Sequence, residues 1–411
     1  MSKWQQVKLK DICTVTSSKR FHLSERTDIG IPFYCSKEII KKESGEKITE
    51  CDFIPTNIYN AIAEKYGVPQ PGDILLTTRG SIGVPYLYKS GDCFYFADGN
   101  LTWLKNFNKL SLPHFLYYWF KSYIGFGKIN AIAKGTAQKA VPIAEIKNIE
   151  LELPPLEIQR KIADILSAYD DLIENNRKQI KLLEEAAQRL YKEWFIDLRF
   201  PGHETTPIID GIPDGWRTGK AIDFFNITIG KTPPRSENQC FTDGNNGIPW
   251  VSISDMGNSG AYVFFTTEGL TADSINKYNV KKVPVGTILL SFKLTLGRVS
   301  IATTPCCTNE AIAHFYIDEE WMREYTYLYL KNFEYDTLGN TSSISKAVNS
   351  SIIKAMPFIL PNTDLVSAFS KLTVPIFKKI YDAQKNINAA QSARDKLLPQ
   401  LMTGELEVMH D

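Results

Sequence analysis

The chain has 411 residues, 43% of them hydrophobic and 23% charged, and 47 Lys+Arg against 46 Asp+Glu leave a formal net charge of +1. That length exceeds one compact core and predicts two or three domains, while the composition excludes wholesale disorder and a collagen-like repeat. Near-neutrality argues against a surface devoted wholly to nucleic acid, and no stretch approaches the ~18 consecutive apolar residues that cross a bilayer.

Residues 1–10 lack the apolar core of a secretory signal, so a cytoplasmic setting with no membrane association is expected. The seven cysteines (Cys13, Cys35, Cys51, Cys93, Cys240, Cys306 and Cys307) are scattered and form no C-x-x-C pair. They read as reduced, mostly buried thiols, not as a disulfide framework or a zinc knuckle. The five histidines show no ligand spacing, and no metal site is expected.

In chain order, residues 1–155 are rich in short β-type runs, aromatics, Gly and Pro, and predict an α+β domain with many turns. Residues 73–78 and 93–96 read as strands, and the aromatic run 115–120 as helix core in preference to a base-stacking platform. Pro154-Pro155 marks the start of a long helix within 156–200. Along it Ile162, Leu166, Tyr169, Ile173, Asn176, Ile180, Leu183, Ala187, Leu190 and Trp194 recur at alternating spacings of four and three, with Asn176 the one polar insertion. Such a narrow 3.5-residue stripe suits a coiled-coil seam, the other reading being a face packed on its own domain. Asn176 either fixes register on that seam or sits at a solvated break. The Pro- and Gly-rich stretch 199–216 turns the chain into a second α+β domain, 201–361, where 288–292 and 311–317 read as strands and 325–330 as helix core. A second helix in 362–411 carries Phe369, Thr373, Ile376, Ile380, Ala383, Ile387, Ala390, Arg394, Leu397 and Leu401 at the same spacings. Pro375 lies inside that pattern and is expected to kink or delay the helix.

The chain repeats itself once. Gly72-Asp-Ile-Leu-Leu-Thr-Thr-Arg-Gly-Ser-Ile-Gly83 returns as Gly286-Thr-Ile-Leu-Leu-Ser-Phe-Lys-Leu-Thr-Leu-Gly297, and Gly30-Ile31-Pro32 as Gly247-Ile248-Pro249. Trp4, Asp11 and Lys19 match Trp216, Asp223 and Lys231 at a constant offset, and the block from Lys139 to Pro154 matches that from Lys346 to Pro361. Matched blocks in one order make the chain a tandem duplication.

Several of these residues carry a family likeness. Pro154-Pro155-Leu156-x-x-Gln159-x-x-Ile162, Tyr169-Asp-Asp-Leu-Ile-Glu-Asn-Asn176, Lys181-Leu-Leu-Glu-Glu-Ala-Ala187, Leu190-Tyr-Lys-Glu-Trp-Phe195 and Leu397-Leu-Pro-Gln-Leu-Met-Thr-Gly-Glu405 resemble the helical regions of type I restriction–modification specificity subunits. Pro213-Asp-Gly-Trp216 and Gly230-Lys-Thr-Pro233 resemble the opening of that family's second domain. One departure is Asn362-Thr-Asp, where the family usually shows a Pro-Leu pair and Gln, which leaves the second helix start unplaced. The resemblance implies two homologous target-recognition domains separated by two long antiparallel, coiled-coil-like helices with internal pseudo-two-fold symmetry. It further implies a non-catalytic subunit in bacterial defence, each domain reading one half of a split, asymmetric double-stranded DNA target. The helices would dock two adenine methyltransferase subunits, with restriction/motor subunits completing the complex. S-adenosylmethionine, ATP and Mg would belong to those partners and no cofactor to this chain.

Independently, two homologous domains in one chain suit two half-sites on a duplex, and a helix of about 40 residues at ~1.5 Å each spans roughly 60 Å. Residues 1–155 hold 20 Lys+Arg against 15 Asp+Glu, whereas residues 201–361 hold 13 against 16, so only the first domain is basic overall. The second domain needs a local patch, and tight DNA binding needs partners. Candidate contacts are Lys134, Thr136, Gln138 and Lys139 in one Gly-containing loop, with Ser345 and Lys346 as counterparts. Arg79 and Lys293 follow the repeated Ile-Leu-Leu strand, and Lys19 and Lys231 lie near each domain start. Gln can read adenine, while Lys, Ser and Thr more often hold phosphate; a solvated surface residue is the alternative at each place.

Gly230-Lys231-Thr232 ends like a phosphate loop, but Phe225 stands where the first Gly belongs. Glu145-Ile146-Lys147 mimics a nuclease tail and reads instead as strand. No Asn-Pro-Pro-aromatic methyltransferase motif is present, so no catalytic residue is expected. Two other functions remain open from sequence: the specificity portion of a bifunctional restriction enzyme, and a coiled-coil protein adaptor without a DNA role.

Overall fold

The computed structural model describes residues 4–135, 139–244, 246–338 and 348–408. The chain forms two compact units, one of residues 1–174 and 389–411 and one of residues 175–388.

In the first unit Gln5–Lys8 pairs antiparallel with Glu150–Leu153, tying the domain's start to its end. A four-stranded antiparallel sheet has the order Thr14–Thr16, Leu101–Lys105, Ile74–Thr77, Pro85–Leu87. Beside it lies a three-stranded sheet, Asp52–Ile54, Ile31–Tyr34, Tyr95–Phe96, in which Phe33 and Tyr95 pair in parallel. Residues 74–76 form a continuous apolar run because the strand is covered on both faces. Ile74 and Leu76 enter a core with Phe115, Leu116 and Phe120, and Leu75 enters another with Ile39, Tyr86 and Phe94. The helix Pro113–Lys121 buries all six residues from Phe115 to Phe120, as core.

The second unit repeats this plan. Arg217–Lys220 pairs with Pro357–Leu360, and Ile227–Ile229, Ile312–Phe315, Ile288–Ser291 and Val299–Ala302 follow in the same sheet order as their counterparts, with Tyr262–Val263 added at the edge. Ile248–Val251 pairs in parallel with Cys307–Thr308, as Ile31–Tyr34 does with Tyr95–Phe96. Even the first short helices correspond, Asp11 accepting from the Lys8 N–H and Asp223 from the Lys220 N–H. The fold is thus α+β with two homologous domains.

Two long helices, Leu156–Tyr191 and Thr363–Thr403, each contribute one segment to each unit. The first continues as a π-helical turn over Lys192–Ile196. The second begins on Asn362, whose side-chain oxygen accepts the Leu365 N–H at 2.8 Å, the bond expected of an N-cap. Asn362 therefore supplies the start that the family's usual Pro-Leu pair would mark. Pro375 does not delay this helix, which starts at 363 and continues past it to 403. One missing amide donor is outweighed by burial of Phe369, Phe377 and Ile380 in the core on either side of it.

The apolar stripes are seam and domain face at once. In the first unit Ile162 and Leu166 share a core with Leu398, Leu401 and Met402, but also with Phe120 and Leu151 of the domain; Leu397 packs against it. Further along, Asp170 meets Arg394 at 2.5 Å, so residue numbers rise on one helix as they fall on the other, and the segments are antiparallel. In the second unit Tyr191, Trp194 and Phe195 enclose Phe369, with Ile380 in the same core and Ile180, Leu183, Leu190 and Ile376 packed against it. Ile173 is buried, while Tyr169 and Ile387 are half-buried. Asn176 is buried, not solvated. The narrow-seam expectation is too narrow at the helix ends, where Leu365, Val366, Phe377 and Leu398 widen the stripe to meet the domains. Residues 145–147 belong to a short helix, Ile143–Lys147, and not to a strand; Glu145 pairs with Lys134 there.

All seven cysteines are free thiols, and burial pushes Cys13 and Cys306 up to about 12. Among the described residues no helix is long and apolar enough to cross a membrane, and no group of three or more His, Cys, Asp or Glu could hold a metal ion.

Candidate nucleic-acid interface

One end of each central sheet gathers the basic loops. In the first unit, the buried Gln159 of the long helix fixes the opposite end. Its amide nitrogen donates to the carbonyls of Leu110 (2.8 Å) and Pro154 (2.7 Å), and its oxygen accepts the Leu112 N–H at 2.8 Å. At the other end, Thr16, Thr77 and Leu101 finish or begin their strands and pass into loops that bind one another. The Ser18 hydroxyl donates to Phe96 O at 2.8 Å, the Thr78 N–H to Asn100 O and the Val141 N–H to Thr78 O. The Ser36 hydroxyl lies 3.1 Å from the carbonyls of both Arg79 and Asn100.

These bonds bring four of the sequence-derived residues together. Arg79 and Lys134 each bridge to Ala140, and the Gly80 N–H donates to Lys139 O, so Arg79, Lys134 and Lys139 share one exposed surface. Lys134 is engaged with Glu145 at 2.7 Å. Lys19 is exposed in the adjoining loop, its N–H donating to the Tyr95 hydroxyl at 2.8 Å and its ammonium 5.4 Å from the Tyr66 ring. Thr136, Gln138, Ser345 and Lys346 lie outside the described residues.

The second unit builds the same end with different side chains. The Lys231 N–H donates to Thr308 O, the Gly230 N–H to Ile312 O and the Phe292 N–H to Ala311 O. Gly230 passes so close to Thr308 and Asn309 that a Cβ would lie 2.1 Å from both the Thr308 hydroxyl and the Asn309 carbonyl, so no larger residue fits. Beneath these loops His314, wholly buried, is held between Thr228 (2.8 Å) and Thr308 (2.7 Å), and burial pushes its pKa down to about 4. Lys231 and Lys293 are both exposed.

Sequence reasoning missed three groups beside them. The Arg235 guanidinium sits 4.2 Å from the Phe241 ring and 4.8 Å from Trp250, and pairs with Glu268 at 2.7 Å. Thr232 donates to the Glu310 carboxylate. Partial burial raises the Glu310 pKa, but the Thr232 bond, a backbone bond and the charges of Lys293 and Arg235 outweigh it, so the group is held below the usual carboxylate range. A charge-focused search overlooks an acidic residue in a basic loop. The constant offset matching Lys19 to Lys231 pointed to the next position, where Arg20 aligns with Thr232.

A chain that builds one fold twice, with basic loops at the same sheet end but different side chains in each copy, presents two non-identical reading surfaces. Residues 1–185 and 213–394 match the type I restriction modification DNA specificity domain, and the chain belongs to that family. It is similar along its length to the type I restriction enzyme HindI specificity subunit of Haemophilus influenzae, at 23% identity covering 99% of this chain and 100% of that one. It is also 28% identical to the MjaIX specificity subunit of Methanocaldococcus jannaschii, covering 98% and 94%. The crystal structure of a type I restriction–modification system S subunit from M. genitalium shares the fold, with a TM-score of 0.61 at 15% identity, covering 100% of this chain and 97% of that one. The protein is a type I restriction–modification specificity subunit with two target-recognition domains.

Proposed function

We propose that residues 1–155 and 201–361 each read one half of a split, asymmetric double-stranded DNA target, and that the helices of 156–200 and 362–411 set the spacer between the halves. Those helices dock two adenine methyltransferase subunits, which bring S-adenosylmethionine, and a restriction/motor subunit brings ATP-dependent, Mg-assisted cleavage. This chain reads sequence in the cytoplasm and catalyses nothing. Arg79, Lys134, Lys139 and Lys19 in one domain, and Lys231 and Lys293 in the other, meet the duplex; Thr136, Gln138, Ser345 and Lys346 complete the set.

The observation that carries this reading is the duplicated topology with loops of different chemistry at equivalent sheet ends. Equal domains with unequal loops suit unequal half-sites. The near-neutral charge of +1 supplies few phosphate contacts and supports partners that hold the DNA as well. The test is co-expression with the partner methyltransferase, then single-molecule mapping of methylated adenines, where a split asymmetric motif is expected. Matched seven-residue insertions near residues 175–185 and in the facing stretch of the second helix add about 10 Å, or about three base pairs, to the spacer. Altered half-site bases in that map would overturn the ruler role, and methylation by the isolated subunit would overturn the non-catalytic one.

A further inference from the structure

The two domains differ most tellingly at one equivalent pair. In the first unit the Ala97 N–H donates to Tyr34 O and the Thr78 N–H to Asn100 O; in the second the Asn309 N–H donates to Val251 O and the Phe292 N–H to Ala311 O. These matched bonds align Asp98 with Glu310, as the offset between Lys19 and Lys231 aligns Arg20 with Thr232. In each unit the aligned residues bind each other across the same 78-residue separation: Arg20 Nε donates to Asp98 at 2.8 Å, and the Thr232 hydroxyl donates to Glu310. Both pairs lie at the loop end of the sheet beside the basic residues.

The chemistry at the two places is opposite. Arg20 is 68% exposed and spends its Nε on Asp98, which orients the fork while its two terminal nitrogens bind nothing among the described residues. A fork held that way presents two parallel donors, the complement of guanine O6 and N7 in the major groove. Glu310 is exposed, tethered at one oxygen by Thr232, and keeps its other oxygen as an acceptor. A phosphate would repel a carboxylate, whereas the exocyclic amine of cytosine or adenine donates to one. Resting on the reading of each domain as a half-site reader, we propose that Arg20–Asp98 and Thr232–Glu310 are the specificity-determining pairs, Arg20 reading a guanine in one half-site and Glu310 an exocyclic base amine in the other.

The experiment maps methylated adenines for the full subunit co-expressed with its methyltransferase, in wild type and in the Arg20→Ala, Glu310→Gln and Thr232→Arg/Glu310→Asp forms. Each single substitution is expected to relax one base position by about 5- to 150-fold, the discrimination carried by one good base contact. Arg20→Ala should act at a G·C pair of one half-site only and Glu310→Gln in the other half-site only, at a C·G pair if cytosine is the donor and at an A·T pair if adenine is. The double substitution should introduce a guanine preference there. Thermal unfolding of each variant, with circular dichroism, separates lost folding from lost reading, because all these groups lie on the surface. Unchanged motifs in folded variants, both effects falling in one half-site, or a wild-type half-site without any G·C pair for Arg20 would overturn the assignment. A wild-type complex that marks no split motif would instead overturn the function on which it rests.

Discussion

Replacing Gln159 with Met keeps nearly the same volume and length in a fully buried position but removes all three of its hydrogen bonds. The Leu112 N–H and the carbonyls of Leu110 and Pro154 lose their side-chain partner where water does not easily replace it. At roughly 1–1.5 kcal/mol for each bond lost, the first unit should be destabilised by about 3–5 kcal/mol. No cavity term is added, because the swap conserves volume. Amide exchange offers a local readout, since the two units need not unfold together. The Leu112 amide, bonded at 2.8 Å to Gln159, should lose protection by more than two orders of magnitude, and the urea midpoint of the first unit should fall. An unchanged Leu112 exchange rate in Gln159→Met would refute the idea that this side chain locks the helix Pro113–Lys121 to the long helix.

Other consequences are open to direct measurement. His314 has a folded pKa depressed to about 4 against a usual 6.5, so the unfolded chain binds the extra proton first; the stability is intact above about pH 6.5 and drains away as pH falls toward 4, by about 3 kcal/mol in total. Unfolding curves of wild type and His314→Gln between pH 4 and 7 should differ in slope, and parallel curves would refute the assignment. Arg394→Met strands Asp170, which among the described residues keeps only the Tyr118 hydroxyl at 2.8 Å, and with both groups under a third exposed should cost about 1–3 kcal/mol in a thermal melt. Asn362→Ala removes the N-cap of the second long helix at a cost of about 1 kcal/mol, with faster exchange of the Leu365 amide as its signature. The isolated subunit should bind duplex DNA weakly and with a shallow salt dependence, and the partnered complex tightly and with a steeper one, as fluorescence anisotropy across a salt series would report.

Much of the architecture was legible in the residues. The duplication, the strand 74–77 with its copy 288–291, the buried aromatic helices and the two apolar stripes all follow from spacing, because period and composition are local properties of a chain. Some local inferences failed for a reason of context. Pro375 does not delay the start of its helix, because burial of the residues on both sides outweighs one lost hydrogen bond. Residues 143–147 form a helix because they pack as a short cap on the domain core through Ile146. Lys134 was legible as a basic loop residue, but its pairing with Glu145 was not.

The sequence by itself determined that this protein is one fold written twice, with a long helix after each copy, and the central line of each helix stripe. Only the tertiary structure decided which loops share a surface. It joined Arg20 to Asp98 and Thr232 to Glu310, residues 78 apart in the chain, by closing the strands that carry them into one sheet end. Periodicity is fixed within a few turns of chain, whereas a loop's neighbours are fixed by strand pairing over long separations. For that reason the reading heads were visible in the sequence, and the opposite chemistry at their tips was not.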